Sequence, residues 1–278
     1  MSGWPIQNPV DALKERHLKG ARQITREALA ALWCGRRLFL TVWLVLALPL
    51  DILGAVNPRP YPGTALVAPD ELISISALAL LDGLIRLAAH VIIAAVVVVW
   101  TGSLHAEQLL TGSALIRLSI ERVWAVITGW LLGGLCVVGL VLSLIGTPVA
   151  VYLSMAWLFC TPASVLEHRS GIAGMVRSLQ LVRGRYWRCK KVAAGVLGPQ
   201  LLAMLLVSGL SLALGSPQTW IDSTGFAIFP LWLMCSVGLS LAMGILVTLT
   251  WVATTIQFLD LVQHEKLPVM QVNPAMAA

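Results

Sequence analysis

The chain has 278 residues, of which 58% are hydrophobic and only 12% charged, against roughly 45–50% and about 25% in an ordinary soluble domain. Six crossings of about 20 apolar residues would take roughly 120 positions, and the remaining pieces are each shorter than a folded domain of about 50 residues. A soluble globular fold and a separate catalytic domain are both excluded. The fold class expected is all-α: a polytopic transmembrane helical bundle of about six crossings with an N-terminal amphipathic interfacial helix.

The first organised segment runs from Asn8 to about Trp33, where Asn8 can cap a helix and Pro9 can take its first position. Val10, Leu13, His17, Ala21, Ile24, Ala28 and Leu32 share one stripe, and mostly basic residues occupy the rest of the surface. Such a helix can lie along an anionic leaflet or pack on the protein's own cytoplasmic loops. The N-terminus turns charged before any apolar run, which is not the order of a signal peptide.

Leu38 to Ala55 forms the first expected crossing, followed by a short external loop stiffened by Pro58, Pro60, Pro62 and Pro69. The second apolar run, Leu72 to about Gly102, is longer than one untilted crossing. Ser103 to Arg122 returns the chain to the cytoplasmic side, and Val123 to Leu144 crosses again. Ile145-Gly146-Thr147-Pro148 marks a hairpin before a short fourth crossing, Val149 to about Pro162, extendable to Leu166. The densest basic segment, Glu167 to Lys191, precedes a fifth crossing from Val192 to Leu214. An outer loop, GSPQTWIDSTG, leads into the sixth, Phe226 to Phe258, long enough to emerge as a helical stalk. Residues 1–37 are thus an N-terminal cytoplasmic unit, 38–260 a six-helix transmembrane domain and 261–278 a cytoplasmic tail.

Lys and Arg test this arrangement. The region to Arg37 holds seven, Ser103 to Arg122 two, Glu167 to Lys191 seven and the tail one, so seventeen of nineteen fall on one side. The exceptions are Arg59 in an external loop and Arg86 within an apolar run. Basic residues resist translocation, so that side is expected to be the cytoplasm, with both termini in it. The net charge of +6 then reflects topology and anionic lipid headgroups rather than nucleic acid. Five scattered cysteines without a CxxC are expected to be free thiols.

Candidate functional residues are few. Asp82, Arg86 and His90 lie at i, i+4 and i+8 in the second run, an intramembrane polar stripe that either lines a cavity or sits at the outer headgroups. In the basic segment Ile172, Met175, Val176, Leu179 and Val182 recur at helical spacing as an apolar face. Arg177, Arg183, Arg185, Arg188, Lys190 and Lys191 point elsewhere, with Trp187 at headgroup depth. This reads as a lipid- or partner-binding helix in the inner interface. Gly129 with Gly133, and Ser240 with Gly244, give small-xxx-small spacings suited to close helix packing. His17, His105, His168 and His264 show no ligand spacing, and no Gly-rich phosphate loop or catalytic constellation is present, so no cofactor, metal or enzymatic activity is expected.

The stretch TPASVLEHRSGIAGMVRSLQLVRGRYWRCKK, from Thr161 to Lys191, resembles a family of bacterial six-helix integral membrane proteins related to the membrane part of some glycerophosphoryl diester phosphodiesterases. Pro162, Glu167, Gly171, Arg177, Ser178, Leu181, Val182, Arg183, Gly184 and Trp187 occupy the matching places, and Asp260, Leu261 and Glu265 match the family's C-terminal end in part. The resemblance implies a fold and a topology. It does not imply phosphodiester hydrolysis, which in that family belongs to an appended barrel. The function expected is a non-enzymatic scaffold or accessory subunit that engages lipids or a partner protein. The alternatives are a transport component, such as a small permease or an exporter's membrane subunit, and an intramembrane enzyme acting on lipid.

Overall fold

The computed structural model describes residues 20–56, 69–107, 110–143, 146–214 and 229–266. The stripe from Val10 to His17, most of the proline-rich loop, the outer loop after Leu214 and the end of the tail lie outside the described residues. Every regular element within them is an α-helix. In chain order these are α1 (Ala21–Cys34), α2 (Arg36–Val56), α3 (Pro69–His105), α4 (Gly112–Leu142), α5 (Thr147–Ala156), α6 (Cys160–Leu166), α7 (Gly171–Val182), α8 (Tyr186–Leu214) and α9 (Phe229–Lys266).

Four segments are long and apolar enough to cross a membrane: Leu80–His105, Gly112–Leu142, Thr147–Leu166 and Val237–Glu265. A fifth arises if α1 and the first part of α2 count as one span bent by 73°. The chain is therefore a multi-pass helical membrane protein, as six apolar runs require: in lipid a backbone must satisfy its own hydrogen bonds, and an α-helix does so within one segment. The expected fifth crossing is helical throughout as part of α8, which carries Pro199 inside it. The expected fourth crossing is two helices, α5 and α6, separated by a turn at Trp157–Phe159.

Helix α9 is central, packing against α1, α2, α3, α6 and α8. Burial is uneven along it. From Val252 to Phe258 every residue is buried, whereas Met234, Leu239 and Ile245 are exposed. The same gradient holds in α3, buried at Ala94–Val99 and exposed at Leu80–Ile85, and in α4, where Leu131, Leu135 and Leu142 are exposed. Apolar helices gain little by burying Leu against one another when lipid is equally apolar. Close packing instead gathers at the basic end, where α1, α6 and α7 join the crossings.

Small residues permit that packing. A Cβ on Gly171 would stand 2.4 Å from Thr128 Oγ1 and 2.5 Å from the Gly129 nitrogen, so α7 meets α4 almost backbone to backbone. Gly129 is in turn 2.8 Å, at the Cβ position, from Cys160 Sγ, and Gly244 is equally tight against Trp43. Both small-xxx-small motifs thus serve contacts within the chain. Helix α1 also turns inward, with Ile24, Ala28 and Ala31 buried in a cluster with Val192, Val252 and Ile256. The described part of this segment, from Ala21, thus packs on the protein's own helices through Ile24, Ala28 and Ala31.

Candidate functional site

The basic segment folds as an α7–α8 elbow. Helix α6 ends at Leu166 with Glu167 as its C-cap, His168 takes a left-handed backbone (φ 55), and Ser170 caps α7, its Oγ accepting from the Ala173 N–H at 3.4 Å. The buried face of α7 is Gly171, Gly174, Met175, Ser178, Leu181 and Val182. This corrects the expected face: Met175 and Val182 are inside, but Ile172 and Val176 are 62% and 51% exposed. Glycine and serine carry no hydrophobic signal, yet their small size is what brings α7 against α4 and the α5–α6 turn.

Ser178 completes that turn. The Phe159 N–H donates to Ser178 Oγ at 3.1 Å, and the hydroxyl donates onward to the Ala156 carbonyl. The break in the fourth span is therefore satisfied by a side chain from α7.

Arg177 faces inward, with only 12% of its side chain exposed. Its Nε donates to both Glu167 oxygens at 3.1 Å, its Nη1 to Glu265 Oε1 at 2.9 Å and its Nη2 to Glu265 Oε2. These bonds, those to Glu265 foremost, hold its guanidinium protonated beyond the usual arginine range. Arg169 Nε adds a 2.6 Å bond to Glu167. The expectation that Arg177 points outward with its neighbours is corrected: it closes a clamp joining α6, α7 and α9. One turn earlier on α9, the 5%-exposed Asp260 lies 3.7 Å from both Arg188 Nη2 and His264 Nδ1.

The remaining cations stand apart. Gly184, with φ 80, lets the chain reverse between α7 and α8 where a residue with a Cβ would be strained. Beyond it an open depression of about 440 Å³ is lined by Gly184, Arg185, Tyr186, Trp187 and Arg188. Tyr186 stacks on Tyr152 of α5 with centroids 5.0 Å apart, and Trp187 meets Tyr186 edge-on at 5.9 Å. Trp187 is 69% exposed, and Lys190 Nζ sits 4.8 Å from its ring centre. Among the described residues, Arg183, Arg185 and Lys191 have no carboxylate within ion-pair reach. Cys189, tucked beneath the elbow, is buried, and that burial pushes its thiol up to about 11 despite Arg188 and Arg185 nearby.

The polar stripe divides. Arg86 Nε donates to Asp82 at 3.1 and 3.3 Å, and Arg86 Nη2 to the Leu50 carbonyl of α2 at 2.7 Å, with about 30% of each side chain exposed. The exposed His90 instead donates from Nδ1 to the Arg86 carbonyl at 2.7 Å. Among the described residues no group of three His, Cys, Asp or Glu side chains could hold a metal. Two polar groups carried no sequence signal: among the described residues Gln257, 2% exposed, has no partner for either amide atom, and the buried Nε of Arg122 has no acceptor.

The family model described as Domain of unknown function (DUF8558) matches residues 92–259, which hold the packed part of α3, the broken fourth span, the elbow and nearly all of α9. The chain belongs to this family. The match includes the basic segment and the broken fourth span, and both Asp260, the partner of Arg188, and Glu265, which completes the clamp, lie beyond its end. No curated protein and no solved structure matches the chain.

Proposed function

We propose that this member of the family is a non-enzymatic scaffold or accessory subunit of a bacterial inner membrane, with both termini cytoplasmic, engaging anionic lipid or a partner through its basic cytoplasmic face. The similarity of Thr161–Lys191 to the bacterial six-helix proteins supports the compartment, and seventeen of nineteen Lys and Arg on one side support the orientation.

The observation that carries the reading is the sorting of cations at the elbow. Arg177, Arg169 and Arg188 face Glu167, Glu265 and Asp260. Arg183, Lys190 and Lys191 are exposed, as are Trp187, Ile172 and Val176, and Lys190 lies over the Trp187 ring. Charge needed to hold the fold is neutralised, and charge left outward shares the exposed surface of this segment with apolar side chains, the combination that an anionic leaflet attracts. The transport alternative draws on Asp82 and Arg86, but that pair ties α2 to α3 through the Leu50 carbonyl, which favours a structural role.

Changing Arg183, Lys190 and Lys191 together to Gln should deplete anionic lipid co-purified in mild detergent, at roughly 1 kcal/mol per charge, with the protein still folded. Unchanged lipid, or inverted topology, would reduce the segment to an orientation signal. Tags at Met1 and Ala278 should be cytoplasmic, and cysteines placed at Gly63 and Thr219 should react with an impermeant thiol reagent from outside.

A further inference from the structure

We propose that the depression at the α7–α8 elbow is a discrete phosphate site that seats the headgroup of one anionic phospholipid, with Arg185 as its principal cation. This rests on the lipid-engaging reading above and narrows it from a charged surface to one pocket and one ligand chemistry.

The walls are fixed before any ligand arrives. Gly184 sets the reversal, Tyr186 is held by its stack on Tyr152, and Arg188 is oriented by Asp260. About 440 Å³ falls within the range of roughly 300–1,000 Å³ typical of small-molecule sites. Two arginines, Arg185 and Arg188, are among its lining residues, and Arg185 has no described carboxylate within ion-pair distance. An arginine fork matches two oxygens of a phosphate, whereas an ammonium offers only a compact charge. Arg183, Lys190 and Lys191 flank the lining residues in the sequence and are exposed, while the nearby carboxylates are Asp260 beside Arg188 and Glu265, whose charge interacts with Arg185.

The surroundings argue for lipid as the source of the phosphate. Trp187 stands exposed at the rim, and α8 continues into exposed Leu201, Leu202, Leu205 and Leu206, while α5 presents exposed Val149 and Val151. Acyl chains descending from a headgroup at Arg185 have apolar flanks on both helices that meet at the Tyr152–Tyr186 stack. A soluble phosphate ester would have no use for them.

The experiment is lipid retention measured by native mass spectrometry on the full chain in mild detergent, with phosphatidylglycerol or phosphatidylcholine added. The wild type should keep one phosphatidylglycerol under conditions that strip phosphatidylcholine. Arg185→Gln should weaken that retention tenfold or more, Arg185→Lys should restore part of it, and Arg183→Gln should change it by no more than about threefold. Thermal midpoints matching wild type keep the comparison valid, and Arg185→Lys stands in if the Gln variant fails to fold. Equal losses from Arg183→Gln and Arg185→Gln would overturn the discrete site while leaving the charged surface intact. Displacement of the lipid by millimolar inorganic phosphate would overturn the lipid assignment. No preference in the wild type would remove the underlying lipid reading itself.

Discussion

Replacing Arg177 by Leu tests whether the clamp holds α7 onto the bundle. The side chain donates to Glu167 and to Glu265, so its loss strands two carboxylates of unequal exposure, 20% and 45%. Removing one partner of a fully buried pair costs about 3–5 kcal/mol, while exposed pairs are worth about 0–1 kcal/mol. Glu167 keeps Arg169 at 2.6 Å, and Glu265 has water available, so the expected loss lies between those limits, at about 2–3 kcal/mol. At about 2–4 °C per kcal/mol, that is a fall of roughly 4–12 °C in the unfolding midpoint in one detergent. Glu265→Gln should cost about 1 kcal/mol, and the double variant should lose less than the sum, since neighbours that share an interaction are not additive. A midpoint for Arg177→Leu within about 1 °C of wild type, or strict additivity, would refute the clamp.

Four further outcomes follow from the packing. Arg86→Leu should destabilise more than Asp82→Leu, because it breaks the Leu50 contact as well as the ion pair, and the double variant, compared by thermal melting, should recover only part of the loss. Gly171→Ala should cost about 1–3 kcal/mol or more through overpacking, whereas Gly195→Ala, with nothing within 4 Å, should be neutral or stabilising by up to about 1 kcal/mol. Gln257→Leu should raise the midpoint by removing an unsatisfied buried amide worth about 1–3 kcal/mol; a fall would mean that the amide is bonded inside the protein. Cys189, with its thiol near 11, should resist maleimide at neutral pH and gain about tenfold in thiolate per pH unit up to that value, while the exposed Cys34 reacts readily in matched single-cysteine variants.

The helical membrane class was legible from run length alone, because a bilayer leaves an apolar run of about 20 residues little other choice. The Asp82–Arg86 pair was legible for a related reason: i,i+4 partners are brought together by the helix itself. Arg177 and Glu265, 88 positions apart, meet only because α7 and α9 pack together, and no local pattern encodes that. The inner face of α7 was misread for a different cause. Hydrophobic periodicity weights Ile172 and Val176, but close approach selects Gly171, Gly174 and Ser178, whose contribution is the volume they leave empty. The break in the fourth span was half legible, as its short length betrayed a shortfall that Ser178 repairs from elsewhere.

That repair bears on the order in which the protein can be made. A mid-span backbone group left unsatisfied in hydrocarbon costs several kcal/mol, and the Ala156 carbonyl and Phe159 N–H find Ser178 only 22 and 19 residues further along the chain. During synthesis the α5–α6 arm is therefore made before the residue that closes its hydrogen bonding. Until α7 emerges and folds back, the arm favours a wet or protein-lined environment over free lipid. In the folded protein the fourth span and the segment that follows it are joined at Ser178.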